Sequence, residues 1–178
     1  YSATLRVAGL SGGANYIRNS VKATVDAYTG KISLYVFDPS DSIIQVYQHL
    51  FPALFRPASE MPADLRRHAR YPELLFAAQA EAFRTFHMRD PQVFYNKEDV
   101  WEVARSLYGQ SGKPAPMSPT YVVATLPGEK DPEFLLMLPF APRGKDNLIG
   151  WMAARCDGDH LNELIFFQLS KQQLVYGP

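Results

Sequence analysis

The sequence predicts an α+β protein in which helices pack on an antiparallel sheet. A period-two alternation near the N-terminus is followed by helical periodicity, and the C-terminal part returns to strand-like apolar runs. Strands, then helices, then strands in blocks favour α+β over the strict alternation of an α/β protein. The predicted architecture is an N-terminal hairpin plus a C-terminal meander, with about three helices between them packed on the sheet.

The composition is that of a globular protein. Of the 178 residues, 47% are hydrophobic and 20% are charged, which argues against disorder. Eighteen basic and eighteen acidic residues cancel, so no electrostatic footprint for a nucleic acid or an anionic membrane surface is present. No apolar run approaches the ~18 residues of a membrane-spanning helix, so we expect this chain to be soluble. We expect residues 1–14 to be linker-like or irregular and residues 15–178 to form a single α+β domain of a longer membrane protein.

The N-terminal hairpin is predicted from two alternating segments. Val21 to Ala27 places apolar and polar side chains on opposite faces, which is the pattern of a half-buried strand. Tyr28-Thr29-Gly30 supplies a turn, and Ile32 to Val36 alternates again.

Three helical patterns follow the hairpin. Asp38 to Asp41 offers N-cap candidates for a first helix, which Pro52 ends or bends. A second pattern, Ala63 to His87, is broken at Tyr71-Pro72 because the residue before a proline is disfavoured in the α region. We expect a third helix from Asn96 to Gly109, with acidic residues in its first turn.

The C-terminal region predicts the central sheet. A strand at Tyr121 to Leu126 precedes the longest apolar run, Phe134 to Phe140. Turn-forming residues at 143–147 and 157–160 then separate two further apolar segments, which is typical of an antiparallel meander. The single cysteine, Cys156, is expected to be a buried structural residue. The residues expected in the core include Ile32, Leu34, Leu136 and Phe166.

One short segment contains several metal-capable side chains. Asp157, Asp159 and His160 are weak metal candidates, because Ca²⁺ requires six to eight oxygen ligands. A zinc site needs more His or Cys than four histidines and one cysteine readily supply. We therefore interpret the segment as a hairpin turn, with no metal and no cofactor predicted.

A second group of polar residues brackets the predicted break and the end of the helix after it. His68, Arg70, His87, Arg89 and Asp90 would form a cluster if the helices packed antiparallel, with the carboxylate orienting an imidazole. No Gly-x-Ser-x-Gly motif supplies a nucleophile for a hydrolytic triad. Helix capping is the alternative interpretation, because basic residues at helix C-termini complement the helix dipole.

Gln79 is predicted to lie within the apolar face of the helix after Pro72. A buried amide without partners costs about 1–3 kcal/mol, so we expect Gln79 to be buried and hydrogen-bonded. A role in contacting a ligand is the alternative.

Several longer strings are recognisable. They are Asn15–Lys22, Val25–Gly30, Ser59–Pro62, His68–Pro72, Phe94–Asn96, Phe134–Phe140, Lys145–Asn147 and Leu174–Pro178. Together they resemble an uncharacterised family of large, multi-span bacterial membrane proteins. The resemblance implies several N-terminal spans followed by a large, extracytoplasmic region, of which this chain would be one part. It implies no catalytic residues, because the family has no assigned reaction.

A local resemblance concerns the hairpin. Val25 to Ile32 is similar to the strand–turn–strand of PepSY modules, small exported domains associated with the inhibition or regulation of peptidases. The sequence thus favours a non-enzymatic interaction, regulatory or assembly module at the cell envelope. Its expected partners are the remainder of the parent membrane protein and another envelope protein, and no nucleic acid. The alternatives are a hydrolase-like envelope enzyme that uses the His/Arg/Asp cluster, and a scaffold whose sheet edge pairs with the rest of the parent chain.

Overall fold

The computed structural model describes residues 16–106, 114–170 and 174–176, and their secondary structure is α+β as predicted. The chain divides into two compact units, of which Tyr16–Ala69 is the first and the described residues from Arg70 onward are the second. The proposed linker at residues 1–14 lies outside the described residues. Folding of residues 15–178 as a single domain stays a prediction. Within the described ranges, no helix is both long and apolar enough to cross a membrane.

The first unit is built around the predicted hairpin. Its elements in chain order are β1 (Val21–Val25), β2 (Ile32–Val36), α1 (Ser42–Leu50), β3 (Phe55–Pro57) and α2 (Ala63–Arg66). β1 and β2 pair antiparallel, whereas β3 adds to β2 in parallel. In the connecting turn the Asp26 carboxylate accepts hydrogen bonds from the backbone N–H groups of Thr29 and Tyr28, and these bonds, chiefly the one from Thr29, lower the pKa of Asp26. Gly30 completes the turn at φ +70°, a conformation that L side chains rarely adopt.

Asp41 confirms the predicted start of the first helix. Its carboxylate accepts a 2.9 Å hydrogen bond from the backbone N–H of Ile43 and caps α1. The same carboxylate accepts hydrogen bonds from the hydroxyls of Ser20 and Tyr16, which connects the beginning of the hairpin to the helix. These hydrogen bonds, chiefly the one from Ser20, lower the pKa of Asp41.

The second unit contains the main sheet. Its elements are α3 (Glu73–Phe86), α4 (Pro91–Asn96), β4 (Trp101–Val103), β5 (Arg105–Ser106), β6 (Ala115–Pro116), β7 (Thr120–Thr125), β8 (Pro132–Pro142), β9 (Gly150–Arg155) and β10 (Leu164–Gln168). The antiparallel order β10-β9-β8-β4 is completed by β7, which pairs with the N-terminal half of β8. The predicted meander is therefore confirmed, and hairpin and meander belong to separate sheets. The predicted break is also confirmed, since α3 begins immediately after Pro72.

The predicted helix from Asn96 to Gly109 is wrong over its described part. α4 begins earlier, where Asp90 caps it and Pro91 occupies its first turn, and it ends at Asn96. Lys97 adopts a left-handed conformation at φ 55°, which stops the helix. Trp101–Val103 then pairs with β8 as β4. The apolar spacing in this segment satisfies both helical and strand periodicity, and pairing with β8 selects the strand.

Two apolar layers cover the two faces of the main sheet. On one face the rings of Phe83 and Trp101 pack against Phe166, with ring centroids 4.8 and 5.2 Å apart. The other face is organised around a buried cluster of Leu126, Leu135 and Ala153. Cys156 is fully buried, as predicted, and burial raises the pKa of its thiol.

The predicted core is confirmed only in part. Leu136 is fully buried, and Leu34 and Phe166 are half-buried. Ile32, however, is 62% exposed, because the buried positions of β2 are Tyr35 and Val36 at its other end. Strand alternation specifies which residues share a face but does not specify how much of each strand is covered.

Candidate functional site

A groove between α3 and β10 is a largely apolar concave surface. Its cavity has a volume of about 320 Å³. We call it the α3–β10 groove, and its lining consists of Gln79, Ala82, Phe83, Phe86, Met152, Leu164, Ile165 and Phe166. Such apolar concave surfaces are typical binding sites in proteins.

The helical wall of the groove follows from the orientation of α3. The buried residues of α3 are Leu75, Phe76 and Ala80, and Phe83 packs on Phe166. Gln79 and Phe86 lie seven positions apart and therefore on the same side of α3. Phe86 is 63% exposed, a high value for a phenylalanine.

The expectation of a buried amide at Gln79 is wrong, because this side chain is exposed. If successive residues turn by 100°, Gln79 lies between the directions of the buried Leu75 and of Phe83, so its angle on the helix does not account for its exposure. Helical periodicity placed Gln79 among the apolar residues of α3 but could not show which part of that face other elements cover. Gln79 is instead a polar group at the rim of the α3–β10 groove.

His87 lies in a closed aromatic cluster at the end of α3. Its ring stacks on Trp101 with centroids 3.5 Å apart, and its Nδ1 lies 2.9 Å from the carbonyl oxygen of Phe83. Asp99 accepts a 3.1 Å hydrogen bond from Trp101 Nε1, and its other oxygen is 3.8 Å from His87 Nε2. The His87 side chain is only 9% exposed, so it is poorly placed to reach a substrate. Asp99 and Trp101 were not predicted as partners of His87, because the segment was assigned to a helix.

The other members of the predicted cluster have separate local contacts. The Arg70 guanidinium lies 4.4 Å from the centroid of the Phe134 ring and donates to the carbonyl of Cys156. Asp90 caps α4 by accepting from two backbone N–H groups. Arg89 is exposed, and His68 is an exposed residue of the first unit. The contacts of Arg70 and Asp90 thus resemble structural roles more than a catalytic arrangement.

The weak metal candidates lie in a turn of the second unit. Asp157 accepts a 3.1 Å hydrogen bond from the backbone N–H of Phe134, and His160 Nδ1 lies 3.0 Å from a carboxylate oxygen of Glu163. Asp159 is exposed. Across residues 16–106, 114–170 and 174–176, no group of three or more His, Cys, Asp or Glu side chains is arranged to hold a metal ion.

An ion cluster beside this turn was not predicted from the sequence. The Arg155 side chain is 8% exposed and forms a two-pronged hydrogen bond with Glu133, with additional oxygens of Glu129 and Glu163 at 3.7 and 3.6 Å. The hydrogen bonds to Glu133 raise the pKa of Arg155. The cluster neutralises a buried guanidinium and leaves it little capacity to bind another anion.

A second cavity, of about 470 Å³, is more polar. Its charged lining residues are Glu102, Arg105, Lys145 and Asp146, which balance in sign. Glu102 also pairs with Arg143 at 3.6 Å. This cavity therefore shows no preference for a charged ligand of either sign.

The first unit exposes the apolar face of α1. None of the residues of α1 is buried. The exposed large side chains of this helix and the turn after it are Ile43, Val46, Tyr47, Leu50, Phe51 and Leu54, with exposed fractions of 44–64%. We call this set the α1 face. Contiguous apolar surface of this kind marks interaction sites in soluble proteins.

The chain is thus an α+β protein with exposed apolar side chains on α1 and an apolar groove between α3 and β10. The chain belongs to the uncharacterised protein family UPF0182, which matches residues 1–178. A UPF0182 protein of Solibacter usitatus is 65% identical over 94% of this chain, and one of Methanospirillum hungatei is 53% identical over 100% of it. One of Pelotomaculum thermopropionicum is 52% identical over 92% of the chain. This chain spans 18–20% of the length of these relatives, and no solved structure matches it.

Proposed function

We propose that this chain is a non-enzymatic interaction, regulatory or assembly module of a larger bacterial membrane protein, on its extracytoplasmic side. The α1 face is the observation that carries this proposal. An α1 face that exposes Val46, Leu50 and Phe51 to water at 58%, 64% and 52% loses the stabilisation that burial of these side chains provides. A docking partner would restore that stabilisation.

The chemistry of α1 favours a protein partner over a lipid surface. The side of α1 opposite its apolar face presents Gln45 and Gln48, and no lysine or arginine lies between Ser42 and Leu50. Helices that lie on anionic membranes carry Lys and Arg on the polar face. The partner we propose is the remainder of the parent protein, because the relatives are about five times as long as this chain.

The proposed location of this region at the cell envelope is supported by the sequence. The resemblance to multi-span bacterial membrane proteins supports a membrane-anchored parent with this region outside the cytoplasm. The similarity of Val25 to Ile32 to PepSY modules supports a regulatory role.

A hydrolase-like enzyme is the alternative function, and the local contacts favour it less. A general base must reach the proton that it abstracts, and His87 is enclosed by Trp101 and Phe83. Asp90 is engaged at a helix N-cap. Neither residue is available in its present arrangement for acid–base chemistry.

Side-chain labelling tests the proposed docking of the α1 face. In the full-length parent, with other accessible cysteines replaced, we expect Leu50→Cys to react with a maleimide at least ~10-fold more slowly than Gln45→Cys. The control is matched, because both side chains are exposed on α1 in this structure and Gln45 lies on the opposite side. Equal rapid labelling of both variants would overturn the proposal. Slow labelling of Leu50→Cys in the 178-residue chain would also overturn it, because the face would then be covered within the chain.

A further inference from the structure

We propose that β10 pairs with an additional β-strand from the parent protein, outside these 178 residues, and that side chains of this strand fill the α3–β10 groove. The inference rests on the proposed function, because it assigns a second docking site of the same module. The proposed strand is an extended segment in which apolar side chains alternate with polar ones.

The hydrogen-bonding pattern between β10 and β9 shows which backbone groups of β10 could form hydrogen bonds with the additional strand. Arg155 N–H donates to the carbonyl of Glu163, and Leu169 N–H donates to the carbonyl of Ile149, each at 2.9 Å. Residue pairs in an antiparallel ladder alternate between hydrogen-bonded and non-hydrogen-bonded. The backbone groups of Ile165 and Phe167 therefore face β9. Those of Leu164, Phe166 and Gln168 face away from it.

The side of β10 away from β9 is an edge within the described part of the chain. The sheet order places β10 at one end, with β9 as its neighbour. Unpaired N–H and C=O groups along an edge are a template for another strand. Three residues with outward-facing backbone groups would provide several hydrogen bonds to a strand that paired along them.

The composition of β10 distinguishes it from most other edge strands. Natural edges are usually protected by charges or proline. β1 contains Lys22, β3 contains Arg56 and Pro57, and β4 contains Glu102, whereas β10 has the sequence Leu-Ile-Phe-Phe-Gln. β7 also lacks charge, but no residue of β7 lines the groove. β10 therefore has the character of a strand that is paired in the complete protein.

The α3–β10 groove would hold the side chains of the incoming strand. The side chains of Leu164 and Phe166 lie on the sheet face that α3 covers, and Phe86 and Leu164 remain 63% and 38% exposed. A strand hydrogen-bonded to β10 would direct alternate side chains toward the same face. Main-chain hydrogen bonds combined with pockets for alternate side chains are the usual means of strand recognition.

We assign the additional strand to the parent chain itself, because a segment of the same polypeptide is held close to β10. The relatives extend over about five times the length of this chain, so about four-fifths of the parent lies outside it. A covalently connected segment has an effective concentration of roughly mM, far above that of a free second copy.

Hydrogen exchange at single-residue resolution in the full-length parent tests this pairing. We expect the amides of Leu164, Phe166 and Gln168 to exchange at least ~100-fold more slowly than in an unstructured peptide. The amides of Ile165 and Phe167 are internal controls, because their bonds to β9 protect them with or without another strand. Unprotected exchange at Leu164, Phe166 and Gln168 beside protected controls would overturn the inference.

A charge substitution distinguishes the source of the strand. Leu164→Lys in the parent is expected to accelerate exchange at Phe166 at least ~10-fold, because it places an ammonium group at the groove. Val123→Lys, at a 68% exposed position of β7, is the control and should leave Phe166 unchanged. No acceleration with Leu164→Lys would contradict the inference. Conversion of a parent dimer to a monomer by Leu164→Lys would also overturn it, because the strand would then come from a second copy.

Failure of this inference and failure of the proposed function have different signatures. Slow labelling of Leu50→Cys together with unprotected β10 amides would leave the function standing and refute only the β10 pairing.

Discussion

At the scale of single residues, Arg155 is a charged side chain that is nevertheless buried. Arginine is rarely buried, yet this residue is 7% exposed and paired with Glu133. The carboxylates of Glu129 and Glu163 lie close to the same guanidinium. Four residues from three segments of the chain meet in this ion cluster, which explains why no local sequence pattern predicted it.

We predict that Arg155→Ala destabilises the second unit by about 3 kcal/mol, because it leaves the half-buried Glu133 carboxylate without its partner. Chemical denaturation measures the change in the free energy of unfolding. The matched control is Arg143→Ala, whose pair with Glu102 is at 3.6 Å and whose side chain is 57% exposed. The control should cost less than about 1 kcal/mol. Equal losses for the two variants would show that burial gives Arg155 no special role.

At the scale of elements, Gly150 shows how closely β9 and β10 pack. A Cβ atom at this position would lie 2.5 Å from the carbonyl oxygen of Phe167 and 2.7 Å from the ring of Phe166. The carbonyl belongs to the backbone and cannot move aside cheaply. Glycine is thus required by the close approach of the two strands.

We predict that Gly150→Ala lowers stability by about 1–3 kcal/mol, the usual range for overpacking. The measurement is the midpoint of thermal or denaturant unfolding. Val123→Ala on β7 is a suitable control, because the Val123 side chain is 68% exposed and its truncation should cost less than about 1 kcal/mol. A Gly150→Ala variant as stable as the unsubstituted chain would mean that β10 shifts to accommodate the methyl group.

The elements also show where sequence periodicity reaches its limit. The segment after α4 has apolar residues at spacings that suit either a helix or a strand, and pairing with β8 selects the strand. Around Pro72 the result is different, since the lost hydrogen bond and the steric restriction on Tyr71 act locally. The local restriction at Tyr71-Pro72 therefore predicted the helix break correctly, whereas apolar periodicity did not predict the secondary structure of the segment after α4.

At the scale of the whole molecule, the sequence predicts one domain for residues 15–178. We predict a single unfolding transition when the 178-residue chain is denatured. Both tryptophans, Trp101 and Trp151, lie in the second unit, so fluorescence reports on that unit, whereas far-UV circular dichroism reports on both. Coincident curves would support one domain, and separate midpoints would contradict it. Arg155→Ala should move both curves equally if folding is cooperative throughout.

The sequence by itself determined the α+β class, the hairpin, the break at Pro72 and the meander. Each depends on local chemistry: alternation, turn residues, capping and the proline ring. Tertiary structure alone decided that β4 is a strand, that Gln79 lies at a groove rim and that Arg155 meets three carboxylates. It also decided which apolar side chains of α1 and β10 stay exposed, because exposure depends on what other elements cover. Those exposed surfaces support the proposed function, and no pattern within a single element could have predicted them.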